Sequence, residues 1–198
     1  MKNLVKIYDN LTDKTQGADW YYQANEFCKQ VAETYDVPLP IVCGILSALS
    51  PSVAWEINKR DCVKMIELGT NGIDRFPNYK FATYGQNVIK AWEIFKGNLI
   101  PEHAFHPQKA PKTYNFYHNI LHPDNGNFVT IDRHAHTIAT GGEILYTGLT
   151  HKKYRTIADH FKKAAERIGI LAPTLQAVLW VSYRNENVND FSNIKTPF

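Results

Sequence analysis

The chain has 198 residues, of which 44% are hydrophobic, 21% charged and 13% aromatic, enough to bury about 70% of the unfolded-chain surface without help from disulfides. That composition excludes a disordered chain, and no apolar run reaches the roughly 20 residues of a membrane-spanning helix. The formal net charge of +3, from 22 basic and 19 acidic residues, permits an anionic partner without demanding one. Met1-Lys2-Asn3-Leu4 starts no secretory pattern, so a cytoplasmic monomer with no membrane partner is expected. Cys28, Cys43 and Cys62 are widely spaced, with no Cys-x-x-Cys pair. They are expected to be buried thiols, not a zinc or iron–sulfur site.

No repeat, low-complexity tract or flexible linker divides the sequence, which predicts one compact unit over 1–198. Trp20, Ala24, Phe27, Cys28, Val31 and Tyr35 recur at steps of three and four, the stripe of an amphipathic helix that stops near Asp36. Pro38 or Pro40 can open the next helix, and the nearly continuous apolar run Ile41 to Leu49 makes it central and buried. Ser52 is the expected cap of a further helix ending at Gly69, with Trp55, Cys62, Val63 and Ile66 inward. Tyr84 to Phe95 places Val88, Ile89, Trp92 and Phe95 on one face, closed by Gly97-Asn98.

A loop from Leu99 to Ala110 then leads to Pro111, which can open a helix through Tyr114, Tyr117 and Leu121. Asp124 to Asn127 is a turn. Phe128-Val129-Thr130-Ile131 is apolar and β-branched but too short to assign, and it delivers the chain to Asp132. That aspartate can cap a helix ending at Gly141-Gly142. Thr150 to Ile168 and Pro173 to Tyr183 are two more helices, joined at Gly169. With about eight or nine helices and no convincing strand pair, the predicted class is all-α.

Chemistry concentrates in Pro111-Lys112-Thr113-Tyr114 and Ile131-Asp132-Arg133-His134. A lysine in the first turn of a helix feels that helix's positive end, which with desolvation favours the neutral, nucleophilic amine. An aspartate at a helix start is held in its ionised form by the free N–H groups and can stabilise a developing cation. A carboxylate beside C1′ and an amine able to attack it are the parts needed to break an N-glycosidic bond. On spacing alone, a solvated lysine and a capping aspartate explain the same residues.

The order of segments adds to this. Leu49-Ser50, the helix through Asn58-Lys59, Asn87-Val88-Ile89-Lys90, Lys112-Thr113 and Ile131-Asp132-Arg133-His134 resemble the successive landmarks of the helix-hairpin-helix DNA glycosylase superfamily. The resemblance covers about residues 40 to 140, and the Lys-to-Asp separation of 20 positions is close to that of the family. It implies an all-α pair of lobes with the active site in the cleft between them. Asp132 would be the catalytic carboxylate and Lys112 the nucleophile of a bifunctional glycosylase and abasic-site lyase. The implied partner is duplex DNA with a flipped nucleotide, and no metal or organic cofactor is needed. Trp55 and Tyr114 are the candidate walls of the base pocket. Because the broader superfamily includes members connected with modified bases of viral genomes, a bulky modified pyrimidine of phage DNA is a candidate substrate, with a role in antiviral defence.

The sequence also departs from the family. Where the hairpin normally reads Leu-Pro-Gly-x-Gly, this chain has Ala104 to Pro111 without a glycine, so Lys109, His106 and the Thr113 region are the expected phosphate contacts instead. The wedge glutamine is absent, its place falling near Ser52, and the C-terminal cysteine cluster is missing. Lys152, Lys153 and Arg155, with Lys162, Lys163 and Arg167, form a basic helix that is either a solvated face or a DNA contact. His134 is expected to pack behind the loop. His134 with His136 and His118 with His122 are poor metal pairs. The alternative reading is a non-catalytic helical DNA-binding protein on a glycosylase scaffold.

Overall fold

The computed structural model describes residues 1–72, 79–142, 146 and 148–190, with side chains as far as Asn185. Among these residues there are ten helices and no strand: α1 (Leu4–Asp9), α2 (Trp20–Tyr35), α3 (Leu39–Leu49), α4 (Trp55–Thr70), α5 (Gly85–Phe95), α6 (Pro101–Ala104), α7 (Pro111–Leu121), α8 (Arg133–Thr140), α9 (His151–Ile168) and α10 (Ala172–Asp190). The protein is all-α, as expected. α1 and α6 were not anticipated because six and four residues are too few to display a helical period. α6 also corrects the expected continuous loop from Leu99 to Ala110. No single described helix is long and apolar enough to cross a membrane.

Contacts divide the chain into two compact units, Tyr22–Pro123 and Met1–Tyr21 with Asp124–Phe198. The first is built around α3. Every residue from Val42 to Leu49 is buried, and α4, α5, α6 and α7 all pack on this helix. Each of Ile45, Leu46 and Leu49 contributes about 1.5–3 kcal/mol by leaving water. Cys28, Cys43 and Cys62 are free and buried within this unit. The hydrogen bond with Cys43 and then burial push the Cys28 thiol up, and burial and then Cys43 push up that of Cys62, away from the reactive thiolate.

The structure departs from the local sequence expectations at Ser52, Gly69 and Ile89. Ser52 does not cap α4: its φ is 63°, its hydroxyl meets that of Tyr84 at 3.3 Å, and α4 starts three residues later, after Ala54 without a side-chain cap. Gly69 does not end that helix, which continues to Thr70. Ile89 is 52% exposed, while Val88, Ala91, Trp92 and Ile94 are buried. The inward stripe of α5 runs through the small Ala91, and the bulkier Ile89 lies on the outer face.

In the other unit α10 packs on α8, α9 and α1, around Ile131, Ala139, Phe161, Leu175 and Leu179. α9 buries Tyr154, Ile157, Ala158, Phe161, Ala164 and Ala165 at steps of three and four. Its opposite face exposes Lys152, Lys153, Arg155, Lys163 and Arg167. Gly141 closes α8 at φ 68°, the left-handed conformation that a residue without Cβ adopts at no steric cost. α10 runs on past the predicted end at Tyr183, since Arg184-Asn185 and the following residues lose the apolar period without supplying a Gly or Pro stop.

Candidate active site at the start of α8

Residues 128–131 reach α8 as irregular backbone fixed by a side chain. The Tyr154 hydroxyl donates to the Val129 carbonyl at 2.7 Å and accepts from the Ile131 N–H at 3.0 Å. Val129 and Ile131 are buried, so the chain is anchored immediately before Asp132. Asp132 then takes the N-cap position of α8, at φ −97° and ψ −172°.

Both carboxylate oxygens of Asp132 have neutral donors. The Ala135 N–H donates to Oδ1 at 2.8 Å and the Trp180 indole N–H donates to Oδ2 at 3.0 Å. No ion pair involves Asp132 among the described residues. The two N–H groups therefore hold the carboxylate in a fixed orientation. It is half-exposed, and each oxygen retains acceptor capacity beyond its one hydrogen bond.

Trp180 is the centre of this site. It meets Trp20 edge-on at 6.4 Å and His134 at 6.2 Å, while the Arg184 guanidinium lies over its ring at 4.9 Å. His134 also packs on Tyr183 at 5.9 Å. One turn before Trp180, the buried Gln176 accepts from the Tyr21 hydroxyl at 2.8 Å. Gln176, Trp180 and Arg184 thus form a polar and aromatic stripe at intervals of four along α10. The sequence expectation does not include this stripe, whose signal is Gln, Trp and Arg one turn apart along α10.

The remaining candidates are in Tyr22–Pro123, at the start of α7. His106 Nδ1 accepts from the N–H groups of Gln108 and Lys109 at 3.1 and 3.3 Å, which closes the turn between α6 and α7. In the neutral ring its proton is then on Nε2, leaving that atom as the outward donor. His106 and Lys109 are exposed; Lys112, Thr113 and Tyr114 are half-exposed in the first turn of α7, behind Pro111. The turn brings these residues together without glycine.

Tyr114 packs edge-on against His118 at 4.4 Å, and the His118 and His122 rings stack at 6.4 Å. Burial and then His122 lower the His118 pKa. Tyr117 donates to Glu102 at 2.7 Å. Burial alone would raise the Glu102 carboxyl, but this bond and the neighbouring histidines bring it below its ordinary value.

Trp55, at the first position of α4, meets Phe27 edge-on at 6.4 Å. The Lys59 ammonium lies 5.6 Å from the Trp55 ring centre and pairs with Glu56 at 3.0 Å. Lys152, Lys153 and Arg155 are exposed in the first turns of α9. His136 points away from His134 into buried surroundings against Tyr146. Among the described residues no three His, Cys, Asp or Glu side chains form a metal-binding group.

Residues 1–187 match the model of a family described as a family of unknown function (DUF7178). No curated protein and no solved structure matches the chain. With almost its whole length spanned by that match, the chain belongs to the DUF7178 family.

Proposed function

We propose that this protein is a DNA N-glycosylase of the helix-hairpin-helix type, with Asp132 as its catalytic carboxylate. The observation that carries the reading is the Asp132 carboxylate itself, half-exposed, aimed by the Ala135 and Trp180 N–H groups and in no ion pair among the described residues. Such a group stabilises positive charge building on a deoxyribose as its C1′–N bond breaks. The bonding electrons leave with the base, which takes up a proton, and a nucleophile adds at C1′. If that nucleophile is water, the product is an abasic site. If it is the Lys112 amine, the product is a Schiff base that proceeds to strand cleavage. The stretch from Ala104 to Pro111, with the turn that His106 closes, is the one this reading takes in place of the hairpin.

The test is release of free base from duplexes bearing a panel of modified bases, 5-substituted pyrimidines included, read by mass spectrometry. Asp132→Asn is expected to lower release at least about 100-fold while leaving duplex affinity in place. Release that survives this substitution overturns the assignment. Duplex binding with no base released from any substrate would favour the non-catalytic DNA-binding protein. Borohydride trapping on abasic DNA that disappears in Lys112→Ala would add the lyase step. Base release without trapping would leave a monofunctional enzyme.

A further inference from the structure

We infer that Arg184 is the phosphate contact of the Asp132 site, so that the substrate is a phosphodiester-linked nucleotide and not a free nucleoside. This rests on the glycosylase reading and adds to it a residue and a ligand group. Arg184 lies one helical turn beyond Trp180, and its guanidinium carbon sits 4.9 Å from the centre of the indole ring. The N–H of that same indole holds Asp132 Oδ2 at 3.0 Å. One side chain therefore spaces a carboxylate on its edge from a guanidinium on its face.

That spacing has a chemical consequence. Oppositely charged groups so near each other would ordinarily pair, yet the two Asp132 oxygens are occupied by neutral N–H donors. Arg184 has no carboxylate partner among the described residues. The guanidinium lies over the indole ring, and its planar fork of N–H donors has no hydrogen-bond partner among the described residues. Arg184 is exposed, so those donors reach solvent. A nucleotide in a strand has this same charge arrangement in complement. Its C1′ becomes positive during bond cleavage, and a phosphate a few bonds away is permanently negative. A site with the carboxylate for the first and a planar bidentate cation for the second matches a strand, whereas a free nucleoside would leave the guanidinium without a ligand.

The experiment measures binding of the intact chain to a duplex carrying one tetrahydrofuran abasic analogue, by fluorescence anisotropy across 50–300 mM KCl, roughly the range over which phosphate contacts separate by their salt dependence. Arg184→Gln keeps a planar polar group over the indole and removes the charge; Arg184→Lys keeps the charge and removes the plane. The expected result is a plot of log affinity against log salt that is shallower by about 0.9 in Arg184→Gln, one phosphate contact. Arg184→Lys should retain the parent slope. A parent slope in Arg184→Gln overturns the inference, and so does an equal loss of slope in both variants, which would trace the effect to indole packing. If the parent releases base but these variants behave in either of those ways, only the Arg184 assignment fails. A parent that neither binds this duplex nor releases base from any substrate overturns the glycosylase reading, and the phosphate contact with it.

Discussion

The indole N–H of Trp180 reaches Asp132 Oδ2 at 3.0 Å across 48 residues of sequence, joining the middle of the last helix to the first residue before α8. This bond sets the direction of the carboxylate, since Oδ1 is already committed to its own helix. Trp180→Phe retains an aromatic ring against Trp20 and His134 and deletes the donor. It is expected to cost about 1–2 kcal/mol in denaturant unfolding and to slow base release by about tenfold, a similar free energy, with little change in KM. Unchanged release would show that Asp132 does not need the indole to aim it.

A second prediction concerns Tyr154. Its hydroxyl bonds to Val129 and Ile131 within a buried setting, so Tyr154→Phe removes two hydrogen bonds at once. The expected loss is about 2–3 kcal/mol. Amide exchange at Ile131 should quicken beyond what the global loss explains, because that N–H gives its hydrogen bond to the missing oxygen. Equal acceleration throughout the unit would argue against a local clamp.

The pH dependence of stability follows from two histidines. Burial, then the charge of Lys153, lowers His136; burial, then His122, lowers His118. A group whose folded pKa is depressed gives its full stabilisation above the unfolded value, here about 6.5, and loses it as pH falls through the folded value. Tm is therefore expected to fall between pH 7 and pH 5. His136→Gln should flatten that fall, and a Tm profile of unchanged slope in this variant would remove His136 from the explanation.

Gly69 is a test of packing. A Cβ at this position would land on the Phe95 ring, which is stacked on Trp92 at 5.7 Å. Alanine gains up to about 1 kcal/mol in helix propensity, but overpacking costs typically about 1–3 kcal/mol. Gly69→Ala should therefore destabilise on balance. Adding Phe95→Leu should make the alanine cheaper in a double-mutant cycle, and additive costs would show that the ring moves aside freely.

The legible parts of the fold were those written in adjacent residues. The stripe of α2, the apolar run of α3, Pro111 at the start of α7 and the Asp132 cap with its Gly141 stop all follow from local periodicity and capping. A Ser after Ser-Pro has the look of a cap, but the left-handed backbone of Ser52 belongs to a turn. The surroundings of Asp132 were out of reach for a different reason. Trp180 is 48 positions, and Tyr154 23 and 25 positions, from the atoms they hold, and no short-range pattern records such a pairing. Only the residue types along α10 hinted at it.

The cysteines have a practical consequence. All three of the chain's thiols fall between Tyr22 and Pro123, and all are shielded from solvent. A small alkylating reagent can reach them only when α2, α3 and α4 part, so its uptake in native buffer clocks the opening of that half of the molecule alone. The half carrying Asp132 remains silent to the same reagent. Counting labelled intact masses over time thus yields the breathing rate of one unit without any engineered probe.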